Sequence, residues 1–160
     1  MDMFRPMRRK KNEISREAAE ELLRTSRRGV LAVIGDDGYP YAVPVNYYYD
    51  SENRRIIFHG SRVGHKADAI RNCDKVCFTV FGNERVKGEA WAPYVQSTVV
   101  FGRCRMIENR GETLAEVKRL AMKYYPDEET AEEEIARSGN AVRIYEIEIE
   151  HISGKEVQER

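Results

Sequence analysis

The segment richest in chemistry is Gly60-Ser61-Arg62-Val63-Gly64-His65-Lys66, which follows an apolar strand and opens a helix. Two glycines let backbone N–H groups approach an anion, and the helix start contributes the positive end of its dipole. Ser61, Arg62 and Lys66 add a hydroxyl donor and two cations, so the segment suits a phosphate. Its glycine spacing matches neither a Walker loop nor a dinucleotide fingerprint. The residues alone therefore specify a phosphate site, with a solvated basic turn as the alternative. A second segment complements the first. Asn46 stands between Pro44-Val45 and Tyr47-Tyr48-Tyr49, an amide amid aromatic surface suited to a planar heterocycle, or else an ordinary tyrosine-rich strand. A phosphate socket and a ring platform together are what a mononucleotide with a flat head group requires.

His59 ends the strand before the phosphate segment, His65 lies inside it, and His151 follows the last strand. Proximity to the anion site makes His59 and His65 the candidate catalytic groups. No Ser-His-Asp order or acidic metal constellation stands out, so neither hydrolysis nor a bound metal is expected. Cys73, Cys77 and Cys104 are odd in number and irregular in spacing, which fits neither a disulfide framework nor zinc ligation and suggests buried thiols.

The 27 basic and 27 acidic side chains cancel, leaving no global footprint for nucleic acid. No apolar run approaches the roughly 20 residues a bilayer span needs. The basic opening Arg8-Arg9-Lys10-Lys11 runs into polar Asn12 and Glu13 where a signal peptide would be apolar. A cytoplasmic protein, bound to neither membrane nor nucleic acid, is the expectation. With 160 residues, 41% of them hydrophobic, one domain over 1–160 is expected, with a basic arm at 1–13 and a tail at 150–160.

The elements that must position the candidate residues are mainly strands. Ser15 is a plausible N-cap for a helix whose Ala18, Ala19, Leu22 and Leu23 form one stripe before Arg27-Arg28-Gly29. Residues 30–34 form an apolar strand, and Asp36-Asp37-Gly38 supplies turn chemistry that returns the chain through residues 39–49. Pro40 and Pro44 cannot donate ladder hydrogen bonds, so the returning strand should be irregular, bulged or at an edge. A strand at 55–59, a helix at 66–72 and a strand at 75–82 follow. Residues 83–93 read as an irregular connection, in which Trp91 is conspicuous, leading to a strand at 94–107. Leu114, Val117, Leu120, Ala121 and Tyr124 repeat at helical spacing up to Pro126, and an acidic helix spans 128–137. In the last strand the apolar phase shifts from Val142 and Ile144 to Tyr145, Ile147 and Ile149, the pattern of a β-bulge. Six strands with few helices, a mainly β (α+β) chain, predict a closed or split antiparallel barrel with the helices outside it.

Met3-Phe4-Arg5-Pro6-Met7-Arg8-Arg9, Arg28-Gly29-Val30-Leu31, Gly35-Asp36-Asp37-Gly38-Tyr39-Pro40-Tyr41, Phe58-His59-Gly60 with Gly64-His65-Lys66, and Glu150-His151-Ile152-Ser153-Gly154-Lys155 together resemble the pyridoxamine 5′-phosphate oxidase-related proteins of the 5-nitroimidazole resistance type. The resemblance covers nearly the whole chain. It implies a six-stranded split barrel and an obligate homodimer with one FMN per subunit in a groove shared by both chains. The phosphate would fall on Ser61, Arg62 and Lys66, with Gly60 and His65 also among the cofactor-binding residues. Pro44, Val45 and Asn46 would border the isoalloxazine edge, Tyr47 would also belong to the cofactor site, and His59 would lie near the ring or ribityl chain. Gln96, Ser97 and Thr98 would complete the pocket from the partner subunit, with Trp91 as a wall on the substrate side. The implied activity is reduction of a small planar or nitro-bearing acceptor by a flavin-dependent oxidoreductase, chemistry that needs no protein nucleophile. A C-terminal substrate-binding region like that of pyridoxamine phosphate oxidases is not found, so vitamin B6 oxidation is not expected. Two rival readings share the same barrel: a flavin-binding or sensor protein without turnover, and a haem-handling protein with His59 or His151 as axial ligand.

Overall fold

The computed structural model describes residues 3–87 and 92–158. The elements run α1 (Arg16–Thr25), β1 (Gly29–Ile34), β2 (Pro40–Val45), β3 (Tyr47–Asp50), β4 (Arg55–Gly60), α2 (His65–Asn72), β5 (Lys75–Lys87), β6 (Ala92–Met106), α3 (Arg110–Tyr124), α4 (Glu128–Ser138) and β7 (Arg143–Gln158). All strand pairs are antiparallel, in the order β2-β1-β5-β6-β7-β4-β3. The two edge strands are consecutive in the chain. The single strand expected over 39–49 is thus two, β2 on the β1 ladder and β3 on the β4 ladder, with Asn46 at the crossing. The sheet has seven strands where six were expected, and its edges are joined by the chain rather than by a ladder. Pro40 and Pro44 lie on edge strand β2, where the missing donors cost least.

A side chain completes what the ladder leaves open at this seam. The Tyr47 N–H donates to the Tyr124 hydroxyl at 2.8 Å, and that hydroxyl lies 2.9 Å from the Tyr47 carbonyl and 2.6 Å from that of Arg27, to one of which it donates. Tyr124→Phe would strip the Tyr47 N–H of its partner, at an expected cost of about 1–3 kcal/mol measured by urea unfolding.

The barrel interior is filled by the inward positions of every strand, among them Leu31, Tyr47, Phe58, Phe78, Val100 and Ile147, all fully buried. Each contributes roughly 1.5–3 kcal/mol by leaving water. Helix α1 begins as expected, with Ser15 accepting from the Ala18 N–H at 3.1 Å. It lies on β5–β7 with Ala19, Leu22 and Leu23 facing in, and the buried Thr98 hydroxyl donates to its Ala19 carbonyl at 2.8 Å. At Gly154 a Cβ would meet that of Ala19 at 2.8 Å, so glycine sets how closely α1 approaches β7. Helix α2 packs Ala67, Ala69 and Ile70 into the same core. The turn after β1 has Asp37 at φ 57° and Gly38 at φ 77°, as its chemistry requires.

Three further expectations are corrected. Of the expected irregular connection at 83–93, residues 83–87 and 92–93 are strand instead: β5 and β6 continue to pair through Arg85–Tyr94 and Val86–Pro93, and a register shift between Gly82 and Arg85 absorbs the lost periodicity. Trp91 lies outside the described residues. The tail at 150–160 is strand up to Gln158, with His151 opposite Phe101 inside the ladder. The bulge in β7 falls not near Ile144 but at Glu150, because Phe101 pairs with His151 and Gly102 with Ile149. The phase change at Ile144–Tyr145 has another cause: β7 is covered on both faces there. Tyr145 and Ile147 face the barrel, whereas Ile144 joins Ile57, Ile107, Val117 and Leu120 beneath α3.

The outer face of β3, β4 and β7 therefore carries the α3–α4 hairpin. At one end Arg55 is held by Asp50 (2.9 Å), Glu116 (2.7 Å) and Glu146 (3.0 Å), all three carboxylates buried. The middle is apolar, and at the other end lie Asn46 and His59. Of the thiols, Cys104 is buried, and burial pushes it up, while Cys73 and Cys77 are half-buried. Among the described residues no helix is long and apolar enough to cross a membrane.

Candidate functional site

Strand β4 ends at Gly60 and α2 begins at His65, so the phosphate-like segment forms the intervening loop. Gly64, the residue before α2, has φ 123°, in the region that favours glycine. At Gly60 a Cβ would stand 3.3 Å from the Lys66 ammonium, so glycine leaves room for that cation against the strand. The Lys66 ammonium lies 5.5 Å from the Phe58 ring centroid and has no carboxylate partner among the described residues. Burial pulls its pKa below the usual lysine range. An unpaired, half-buried cation beside a glycine loop fits a phosphate well.

The loop backbone is fixed from behind. Tyr145 on β7 donates its hydroxyl to the Ser61 carbonyl at 2.6 Å, and Arg71 on α2 donates to the Arg62 carbonyl at 3.1 Å while pairing with Asp68. The Arg62 guanidinium is exposed and has no carboxylate partner among the described residues. Sequence reasoning missed Tyr145 and Arg71. Tyr145 lies 84 residues away from Ser61, and only the β4–β7 register makes them neighbours.

His65 is occupied elsewhere. Its ring stacks on Tyr41 with centroids 4.1 Å apart, and its Nε2 accepts from the Asp36 N–H at 3.4 Å. It thereby ties the loop to the β1–β2 turn. Tyr47 is a core residue: its side chain is fully buried, its hydroxyl donates to the Leu23 carbonyl, and burial raises its pKa. Alternation along β3 also turns Tyr49 inward, so the tyrosine row does not form one aromatic platform. Val45 is buried and Pro44 exposed.

Asn46 and His59 do come together. Tyr47 pairs with Phe58, which places Asn46 beside His59 one step further along the two strands. Both line a cleft of about 190 Å³ whose other walls include Leu120, Tyr124, Ile135 and Val142. Partial burial, then the charge of Lys66, hold His59 below the usual histidine range, which favours its neutral imidazole. Gln96 and Ser97 are not near this group within one chain. Gln96 pairs with Glu156 and accepts from Asn83 at 2.8 Å. Arg143, opposite Gly60, lies thirteen positions earlier on β7, on the order of 40 Å of extended strand.

A mainly antiparallel sheet broken at one seam, with two helices packed into its core and a helical hairpin outside, is a split barrel. The chain belongs to the pyridoxamine 5′-phosphate oxidase family, whose sequence model matches residues 15–156. Solved structures resemble it at low identity. One is a candidate 5-nitroimidazole antibiotic resistance protein from Bacteroides thetaiotaomicron, with TM-score 0.77 and 17% identity, covering 91% of this chain and 87% of that one. Another is the flavocytochrome Anf3 from Azotobacter vinelandii, with TM-score 0.77 and 17% identity, covering 97% and 73%. A third is a FAD-binding protein from Mesorhizobium loti, with TM-score 0.62 and 22% identity, covering 91% and 96%. At these identities the likeness establishes the fold. Comparison with curated proteins finds no match.

Proposed function

We propose that the protein is an FMN-dependent oxidoreductase that reduces a small planar or nitro-bearing acceptor, with the flavin held between two copies of the chain. The observation that carries this reading is the Lys66 ammonium, without a carboxylate partner among the described residues, in the first turn of α2 against the glycine loop and close to His59, which lines a cleft with Asn46. Lys66 and Arg62 neutralise a terminal phosphate, while Ser61 and the loop N–H groups donate to its oxygens. Asn46 offers an amide to the edge of a ring, and the neutral His59 imidazole can donate or accept one hydrogen bond there. Bound flavin supplies two-electron exchange between a reductant and the acceptor. The names of the flavin-binding structural relatives favour the same cofactor class.

The homodimer is favoured by the outer face of β5–β7. Phe81 is 63% exposed and Phe101 39% exposed, and Phe4 stacks on both Phe101 and His151. Covering such a face with a second copy removes apolar surface from water. It would also allow Gln96 of the partner subunit and Ser97 of the partner subunit to reach the flavin. The cytoplasm suits three unpaired thiols.

The test is the absorption spectrum of the purified protein, followed by heat release and chromatographic identification of the chromophore. FMN is the expected product. Released FAD would replace the cofactor, a Soret band would favour haem, and a colourless protein that fails to bind added FMN would end the flavin reading. Dilution to monomers should release the flavin, and a monomer that retains it removes the interfacial placement.

A further inference from the structure

We infer that Tyr145 and Arg71 are positioning residues for the phosphate site: they hold the loop between β4 and α2 in the conformation that receives an anion, before the anion arrives. That the anion is the phosphate of a flavin rests on the reading above.

In a trans peptide the carbonyl and the following N–H point in opposite directions, so whatever holds the one aims the other. The Tyr145 hydroxyl donates to the Ser61 carbonyl at 2.6 Å, which turns the Arg62 N–H away from Tyr145. Arg71 donates to the next carbonyl, that of Arg62, at 3.1 Å, which turns the Val63 N–H away from Arg71. The Val63 N–H in turn donates to the Ser61 hydroxyl oxygen at 3.2 Å. A hydroxyl that accepts there keeps its own proton to give to a ligand. Two consecutive carbonyls, the loop groups that repel an anion, are thus committed to the protein. The N–H groups of Arg62 and Gly64 have no acceptor among the described residues. Carbonyls tied down and N–H groups left over are what an anion-binding backbone needs.

Both holding groups are themselves held. Tyr145 is 2% exposed, stands opposite Phe58 in the β4–β7 ladder and stacks on its ring, with centroids 5.3 Å apart and planes within 7°. Packing on Phe58 needs only the ring, and the hydroxyl's one partner among the described residues is the loop. A Cβ at Gly60 would lie 3.2 Å from the Tyr145 ring and 3.3 Å from the Lys66 ammonium, so the same ring borders the space in which Lys66 sits. Arg71 is fixed by Asp68 on the same helix. The loop residues 61–64 are exposed. Freed of these two bonds they would sample conformations with carbonyls facing the anion, and a phosphate would have to select the competent fraction.

The loss should fall on the phosphate alone, which gives the test. Tyr145→Phe keeps the ring and the charge and removes only the hydroxyl, while Arg71→Met, on an exposed position of α2, is a second and independent variant. Each is titrated with FMN, with riboflavin, which lacks the phosphate, and, in flavin-free protein, with inorganic phosphate followed through the amide resonances of residues 61–64. In both variants FMN and inorganic phosphate should bind about 5- to 20-fold more weakly, the worth of one hydrogen bond. Riboflavin affinity should stay within about twofold of the parent protein's. FMN and riboflavin weakened alike would assign these side chains to general packing and overturn the proposal. Unchanged FMN affinity in either variant would overturn it for that residue. Both results leave the flavin reading standing. A parent protein that binds phosphate but no flavin, with both variants binding phosphate more weakly, would uphold the positioning and remove the flavin reading. A parent protein that binds neither phosphate nor FMN would remove both.

Discussion

Arg55→Met should destabilise the protein by about 3–5 kcal/mol, seen as a large drop in the urea midpoint. The guanidinium of Arg55 is the shared partner of Asp50, Glu116 and Glu146, whose exposures are 4%, 3% and 8%. One oxygen of Glu116 has no hydrogen-bond partner even in the intact cluster. Removing this central cation leaves Asp50 with Asn53 alone, and leaves Glu116 and Glu146 with only the exposed Arg119 at 3.2 Å and Arg105 at 2.6 Å. Lysine would not substitute well, because a single ammonium cannot reproduce the planar fork that meets three carboxylates in different directions.

The pH dependence should reverse sign in this variant. In the intact protein burial by itself would raise the Asp50 carboxyl, but hydrogen bonds from Asn53 and Arg55 outweigh it, and the group sits below the usual aspartate range. A depressed folded pKa means that the unfolded chain binds more protons, so Asp50 contributes stability above about pH 4, the unfolded value, and loses it as pH falls further. Without Arg55 the buried carboxylates favour their neutral form, and the variant should gain stability on mild acidification. Urea midpoints from pH 7 down to pH 3 would show the two proteins moving in opposite directions, the variant gaining on mild acidification and the intact protein losing stability below about pH 4. Parallel slopes would mean that the three carboxylates do not depend on Arg55.

Lys66→Ala should weaken FMN binding by about 1.5–3 kcal/mol, roughly 10- to 150-fold, through loss of one charge-assisted contact to phosphate. The variant also separates function from stability. Lys66 is half-buried without a carboxylate partner, and burial disfavours its charged form. Removing it should leave the flavin-free protein as stable as before, or more so. Weaker binding with undiminished urea resistance is the signature of a ligand-binding cation. Unchanged FMN affinity, measured by flavin fluorescence quenching, would take Lys66 out of the site.

The phosphate loop is legible from local chemistry alone. Glycines, hydroxyl and cations all lie within Gly60-Ser61-Arg62-Val63-Gly64-His65-Lys66, and the expected helix follows directly. The hairpin at Asp36-Asp37-Gly38, the Ser15 cap and the apolar stripes of α1 and α2 are likewise properties of short windows. What escaped was set by distant partners. Alternation could not reveal that β7 is covered on both faces, because the covering helix α3 lies earlier in the chain and the barrel interior is built from every other strand. The division of one strand into β2 and β3 depends on which ladder each half joins. His65 looked like a site residue by position, yet its ring lies against Tyr41, 24 residues upstream. The cleft of Asn46 and His59 combines two recognised residues with a wall from α3 and α4 that no short motif announces.

The seam at Asn46 also governs the order in which the fold can become complete. Hairpins β1–β2 and β3–β4 need only local contacts and can form early, but the N–H of Tyr47 finds its partner on a helix 77 residues later in the chain. That amide cannot be protected until α3 has docked. In native-state hydrogen exchange its rate therefore clocks the release of α3, whereas amides deep in the β5–β6 ladder report global unfolding. A single exchangeable proton thus registers the moment at which an open sheet becomes a barrel.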